Sequence, residues 1–313
     1  MPIVPEGQLA YGMQLPIQAQ STMFVAEWER DAGPDELVAI TRAAEEAGFF
    51  YVAVCDHVSV PERLAPAMGT TWYDPISTLG LLAGVTSRIR LMSHVWVLPY
   101  RHPLVSAKAF ATLDHLSKGR VIVGVGAGHV PEEFETLGVP FDHRGRLLDE
   151  AIDALKVALS EEFPSFAGPT WTFAGGGARP RPVQQPRPPI WVGGSSPAAV
   201  RRAGERGDGW LPQGTPKKDM PEQIATLREY RARVGGEPVE IGAISLPFLY
   251  VGSPSWDVGP GVKAGSPDAV AASLLEFKEM GVSHVQIRFK VRSCDELLDQ
   301  IGQFGADVAP LLV

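Results

Sequence analysis

The stretch RVIVGVGAGHVPEEF (Arg120–Phe134) sets a β-branched run directly against alternating glycines. Glycine at every second position after a strand marks a backbone that something flat or anionic approaches closely. A dinucleotide-binding loop would explain it, given the pattern G-x-G-x-x-G after a first strand and an acid about 20 residues further on, at the end of the next strand. Three observations exclude that loop. His129 stands in the place of the third glycine, the stretch follows three earlier strand-like runs, and the acid near the right distance, Asp149, lies inside a helical pattern. What remains is a strand whose C-terminal end is stripped of side chains at Gly126 and Gly128. That leaves room for a planar ring, or it relieves crowding inside a barrel, and this stretch alone admits both.

Working outward, strand-like runs and helical patterns alternate along the chain. LAYGMQL (Leu9–Leu15), YVAVCDH and RIRLMSHVWVL precede the stretch, each followed by an amphipathic pattern. After it, RGRLLDEAIDALKVALSEEF places Leu148, Ile152, Leu155 and Leu159 on one helical face. IWVGG, DGWLPQ, VEIGAISLPFLYV and SHVQIRF follow, again each with its helical partner. Two segments interrupt the rhythm. Residues 164–189 are rich in proline and glycine, read as an insertion before the fifth strand with a short hairpin at PTWTFAGGG; residues 252–265 read as a loop insertion after the seventh. Unbroken βα alternation favours a parallel sheet buried on both faces. Eight such pairs in 313 residues predict one α/β domain over residues 1–313, a closed (β/α)8 TIM barrel with insertions. An open doubly wound sheet would more often show about six strands and a switch point.

Net charge −8 and a pI near 5.4 argue against a nucleic-acid partner, which needs a basic face. The chain holds no long apolar run and no basic-then-apolar leader, so neither a membrane span nor a signal peptide is expected. Cys55 and Cys294 are far apart and in no metal-ligand spacing. They suit thiols of a reducing compartment, and a cytoplasmic location is the expectation.

In a barrel, active sites gather at the C-terminal ends of the strands. Read in order, those ends offer Gln14; Asp56 and His57; His94; Gly126, Gly128 and His129; Gly193, Gly194 and Ser195; Trp210 and Gln213; and Arg288. Histidines at three consecutive ends point to a site more than to packing. GGSSPAAV (Gly193–Val200) adds two glycines, Ser195 and Ser196 just ahead of a helix that opens on Pro197. Such a helix start can bind an anion, or it can be an ordinary N-cap.

RIRLMSHVWVLPYRHPLVSAKAFATLDHLSKGRVIVGVGAGHVPEEFETLGVPFDHRGRLLDEAIDALK, RPVQQPRPPIWVGGSSPAAVRRAGERGDGWLP and YVAVCDH together resemble the luciferase-like monooxygenase superfamily, in particular its branch that uses the deazaflavin coenzyme F420. The resemblance implies a flavin-type ring at the barrel mouth and a homodimer. It implies a non-prolyl cis peptide at His94–Val95, backing the ring, and a cofactor-phosphate site at Gly193, Gly194, Ser195 and Ser196. Asp56 and His57 match the family's Asp-His pair, whose His is the proton partner of hydride transfer, with Asp56 holding the imidazole or touching the ring. Where a related sugar-phosphate dehydrogenase has a glutamate that acts as an acid, this chain has His129, a catalytic candidate beside His57 and Asp56, so a sugar-phosphate substrate is not implied. Gln14, Trp72, Trp210 and Arg288 are the expected substrate wall, with Gln213 beside the cofactor and a small organic molecule as substrate.

Three alternatives share these residues. An FMN-dependent monooxygenase would keep the fold and change the cofactor. A metal-dependent barrel hydrolase would use His57, His94, His129 and Asp56, but its usual H-x-H pair on the first strand is missing from YGMQLP, so no metal is expected. A non-catalytic flavin-binding barrel would have no use for the Asp-His pair.

Overall fold

The computed structural model describes residues 2–22, 24–244 and 248–312. Eight parallel strands close a barrel: β1 (Ala10–Gln14), β2 (Tyr51–Val54), β3 (Arg90–Ser93), β4 (Val121–Gly126), β5 (Ile190–Gly193), β6 (Gly209–Leu211), β7 (Glu240–Ile244) and β8 (His284–Ile287). Each pairs with its successor, and β8 closes on β1 with Ala10 beside His284 and Met13 beside Ile287. Between and after them run α1 (Pro34–Glu46), α2 (Pro75–Val85), α3 (Pro103–Leu116), α4 (Arg144–Ser160), α5 (Pro197–Arg206), α6 (Met220–Val234), α7 (Pro267–Glu279) and α8 (Cys294–Gln303). The expected (β/α)8 architecture is the one observed.

Local chemistry starts these helices where the strands release the chain. α1, α2, α3, α5 and α7 open on proline, whose missing N–H and fixed φ suit a first helical position. Asp74, Ser196, Ser266 and Ser293 cap α2, α5, α7 and α8 by accepting a backbone N–H three residues on. On α4, Leu148, Ile152, Leu155 and Leu159 are all fully buried, as their spacing requires. No helix among the described residues is long and apolar enough to cross a membrane.

Inside the barrel a second, smaller core stacks Tyr51, Ala53, Met92, Ile122, Trp191 and Leu211, with Val95 packed against it. Inward glycines oppose its large rings. A Cβ on Gly12 would lie 2.5 Å from the Tyr51 ring, and one on Gly209 2.3 Å from Trp191. Large faces small across the barrel axis, which is how a narrow barrel fills without voids.

Two sequence readings need adjustment. The run VEIGAISLPFLYV is not one strand. β7 stops at Ile244, and Phe248–Val251 instead pairs in parallel with Val262–Gly265 outside the barrel; residues 245–247 of the run lie outside the described residues. The 252–265 segment therefore ends in a strand. Within residues 164–189, Phe166–Ala167 and Thr172–Phe173 pair as an antiparallel hairpin. The return of that segment is tied down by buried Asp114, which accepts the backbone N–H groups of Val183 and Gln184.

Candidate functional site

The ends of β2, β3 and β4 meet at one side of the mouth. Asp56, just past β2, is buried, and its carboxylate accepts both guanidinium arms of Arg101 at 2.7 and 2.8 Å and the Val97 N–H at 2.8 Å. Burial pushes its pKa upward, and the guanidinium and the N–H oppose that rise. A paired, fully hydrogen-bonded carboxylate of this kind is a fixed brace. Arg101 also stacks 3.6 Å from the Trp96 ring centroid. Asp56 thus anchors the segment after β3. The expectation that it holds the His57 imidazole is corrected, because Glu133 does so.

Glu133 sits on the short helix Pro131–Thr136 after β4 and is buried. His57 Nδ1–H donates to its Oε2 at 2.7 Å, and the Tyr100 hydroxyl donates to the same oxygen at 3.2 Å. The backbone N–H groups of Val58 and Ser59 donate to Oε1 at 2.7 and 3.1 Å. Burial opposes ionisation of Glu133, but these donors outweigh it and hold the carboxyl below its ordinary range. Burial, and then the charge of Glu133, drive the Tyr100 hydroxyl far up. The other edge of His57 is framed by Trp72 and His129, with ring centroids 4.4 and 5.4 Å away. Trp72, His57 and the exposed His129 are therefore brought together.

His94 and Val95 are joined by a cis peptide, and Trp96–Val97 then pairs alongside β4. His94 is buried, and Gln213 Nε2 donates to its Nε2 at 3.0 Å. Burial, aided by the charge of Arg288, pulls the imidazole down to about 3, so His94 is neutral at physiological pH. The glycines of β4 have a different role from the one expected. A Cβ on Gly126 would lie 2.4 Å from Val95 Cγ2, one on Gly193 2.6 Å from Val95 Cγ1, and one on Gly128 2.8 Å from both Phe134 and Val97. The missing side chains at Gly126 and Gly128 make room for the protein's own residues, and Val95, half-exposed, becomes the surface at the mouth. Relief of crowding is the reading that survives.

Across the mouth, the loop between β5 and α5 is closed on itself. Ser195 Oγ donates to the Gln213 carbonyl and accepts from the Gln213 N–H and the Thr215 hydroxyl. Ser196 caps α5 through Ala199 N–H, and Gly194, at φ +114°, adopts a conformation that favours glycine. Both hydroxyls expected to bind an anion are thus engaged within the protein. The Gly194 N–H is engaged as well, by the Leu211 carbonyl at 2.9 Å, so an anion here would be left to the backbone N–H groups of Ser195 and Ser196. Trp210 is fully buried and donates to the Gly194 carbonyl, so its place in the substrate wall is corrected: it faces the helices, and Leu211 faces the barrel interior.

Between the ends of β1 and β8 lies a cavity of about 90 Å³ lined by Gln14, Phe24, Trp28 and Arg288 among others. Arg288 donates to Gln14 Oε1 at 2.7 Å and stacks 4.2 Å from the Phe24 ring centroid. Gln14 in turn donates to Cys55 Sγ. Burial pushes the Cys55 thiol up to about 12, so it stays a neutral thiol. Among the described residues no three His, Cys, Asp or Glu side chains are placed to hold a metal ion, so His57, His94, His129 and Asp56, though at one mouth, form no such group.

Glu133 and Tyr100 were not singled out from the sequence, whereas Arg101 was read as one of several basic residues able to reach the mouth. For Glu133 a signal existed: it shares a helical face with Val130 and Phe134, both fully or nearly buried, and a carboxylate on an apolar face needs a partner. Nothing in the run PYRHP marks Tyr100, or Asp56 as the partner of Arg101.

The family model for luciferase-like monooxygenases matches residues 12–258. The chain is 33% identical over 229 residues to an F420-dependent hydroxymycolic acid dehydrogenase of Mycobacterium tuberculosis, covering 70% of this chain and 59% of that one. It is 29% identical over 206 residues to an FMNH(2)-dependent dimethylsulfone monooxygenase of Pseudomonas putida, covering 65% and 55%. An F420-dependent secondary alcohol dehydrogenase in complex with an F420-acetone adduct superposes with a TM-score of 0.78 at 18% identity, over 98% of this chain and 99% of that one, a likeness of fold. The chain belongs to the luciferase-like monooxygenase family, whose members are F420- or flavin-dependent oxidoreductases.

Proposed function

We propose that the protein is an F420-dependent oxidoreductase that moves a hydride between the deazaflavin ring and a small organic substrate. The observation that carries this reading is His57 at the mouth, its Nδ1 engaged by Glu133 and its Nε2 without a protein partner among the described residues. The site fits a planar ring at one place in particular: Val95, seated over Gly126 and Gly193, offers a half-exposed, uncharged surface between the ends of β4 and β5. The residues that would hold the cofactor are His94 and Val95, Gln213, and the backbone N–H groups of Ser195 and Ser196 at the start of α5. When bound, the deazaflavin supplies the hydride acceptor or donor. Loss of hydride from an alcohol carbon must be matched by loss of a proton from its oxygen, and His57 Nε2 takes that proton. Gln14, Trp72 and Arg288 would wall the substrate side, and the neutral His94 keeps charge away from the ring.

Absorbance titration with F420 and with FMN tests the cofactor; tighter binding of FMN would transfer the reading to a flavin monooxygenase. His57→Ala should lower turnover by about 10²- to 10⁴-fold while leaving the cofactor dissociation constant unchanged. Equal turnover in variant and parent would remove His57 from the chemistry. The partner on the protein side is proposed to be a second copy. Leu81 on α2 and Val105 and Leu116 on α3 are 46%, 62% and 65% exposed and flank an apolar groove between those helices. Two free cysteines suit a reducing cytoplasm.

A further inference from the structure

We infer that Glu133 is a positioning residue that locks His57 in the tautomer carrying its proton on Nδ1, so that Nε2 is left as the acceptor. The inference rests on the role proposed above for His57. An ionised carboxylate only accepts hydrogen bonds, so the 2.7 Å contact requires a proton on His57 Nδ1. The proton of a neutral imidazole then cannot also be on Nε2.

The geometry divides Glu133 into two halves. Oε1 holds the backbone of Val58 and Ser59 and so fixes the turn after β2. Oε2 faces only side chains, the His57 imidazole and the Tyr100 hydroxyl. All four partners are donors, the carboxylate is fully enclosed, and His57 lies 76 residues away along the chain. A buried charge with this many donors is held in one orientation, so its Oε2 stays aimed at Nδ1. The turn could be held by any acceptor; the tautomer needs an acceptor at Oε2.

That division makes Glu133→Gln informative. Its amide carbonyl can keep the Val58 and Ser59 N–H groups, which places an NH2 donor against His57 Nδ1 and drives the proton to Nε2. Imidazole ¹⁵N NMR on the cofactor-free protein reads the tautomer directly. The parent should show Nδ1–H and Glu133→Gln should show Nε2–H. Turnover with whichever cofactor binds should fall on the order of 10²-fold, with KM and melting temperature little changed, and Glu133→Asp should recover part of the loss. An Nε2–H tautomer in the parent overturns the inference even if the variant does not fold. So does an Nδ1–H tautomer retained in Glu133→Gln. Because the NMR needs no cofactor, a preference for FMN would defeat the F420 reading and leave this result standing.

Discussion

The mouth of the barrel has two sides built on the same plan, each from short buried strands that end in polar residues. At the ends of β2–β4 the polar groups are charged, buried and partnered across distant elements: Asp56 with Arg101, Glu133 with His57 and Tyr100. At the ends of β5–β6 they are neutral and closer to solvent, and they close a local loop: Ser195 with Gln213 and Thr215, Ser196 with its own helix. The difference sets how each side responds to loss. A desolvated charge that loses its partner is left exposed to a low-dielectric surrounding, whereas a hydroxyl at the surface is readily replaced by water. The first side is built to hold one geometry. The second, held by neutral groups near solvent, can adjust.

The largest break in this contrast should come from Asp56→Ala, which strands the Arg101 guanidinium. A loss of about 3 kcal/mol in urea unfolding, at unchanged m-value, is expected, together with weaker cofactor binding. A loss under 1 kcal/mol would show that Arg101 finds water instead. Gly126→Ala comes next. Its new Cβ meets Val95 at 2.4 Å, so about 1–3 kcal/mol should be lost, and Val95→Ala in the same chain should restore most of it. Additive losses in that double-mutant cycle would break the pairing of Gly126 with Val95. Smallest should be Ser196→Ala, about 1 kcal/mol from a lost N-cap, with the cofactor dissociation constant unmoved. A marked rise in that constant would return Ser196 to the cofactor site and narrow the contrast between the two sides.

Much of this architecture was legible before the coordinates. β-branched apolar runs, helices with period 3.6, and prolines at helix starts are local signals, and all eight pairs appear, the seventh with its strand stopping at Ile244. The His94–Val95 cis peptide implied by the resemblance also appears. Trp210 shows where such reading stops. In the three-residue strand GWL, nothing local says which residue faces inward, and a shift of one position exchanges barrel interior for helix layer. The β4 glycines failed for a related reason: their spacing announced a close approach without identifying what approaches, and Val95 belongs to the segment that follows the neighbouring β3.

What the sequence determined by itself is the alternation of elements, hence the barrel and the gathering of Asp56, His57, His94 and His129 at one mouth, because those follow from local periodicity and the geometry of βα units. Only the tertiary structure decided which carboxylate serves which partner. Asp56 and Glu133 differ in role through contacts with Arg101 and His57, which lie 45 and 76 residues away along the chain. Desolvated charges choose partners by distance in space, and that distance is set only when the barrel closes.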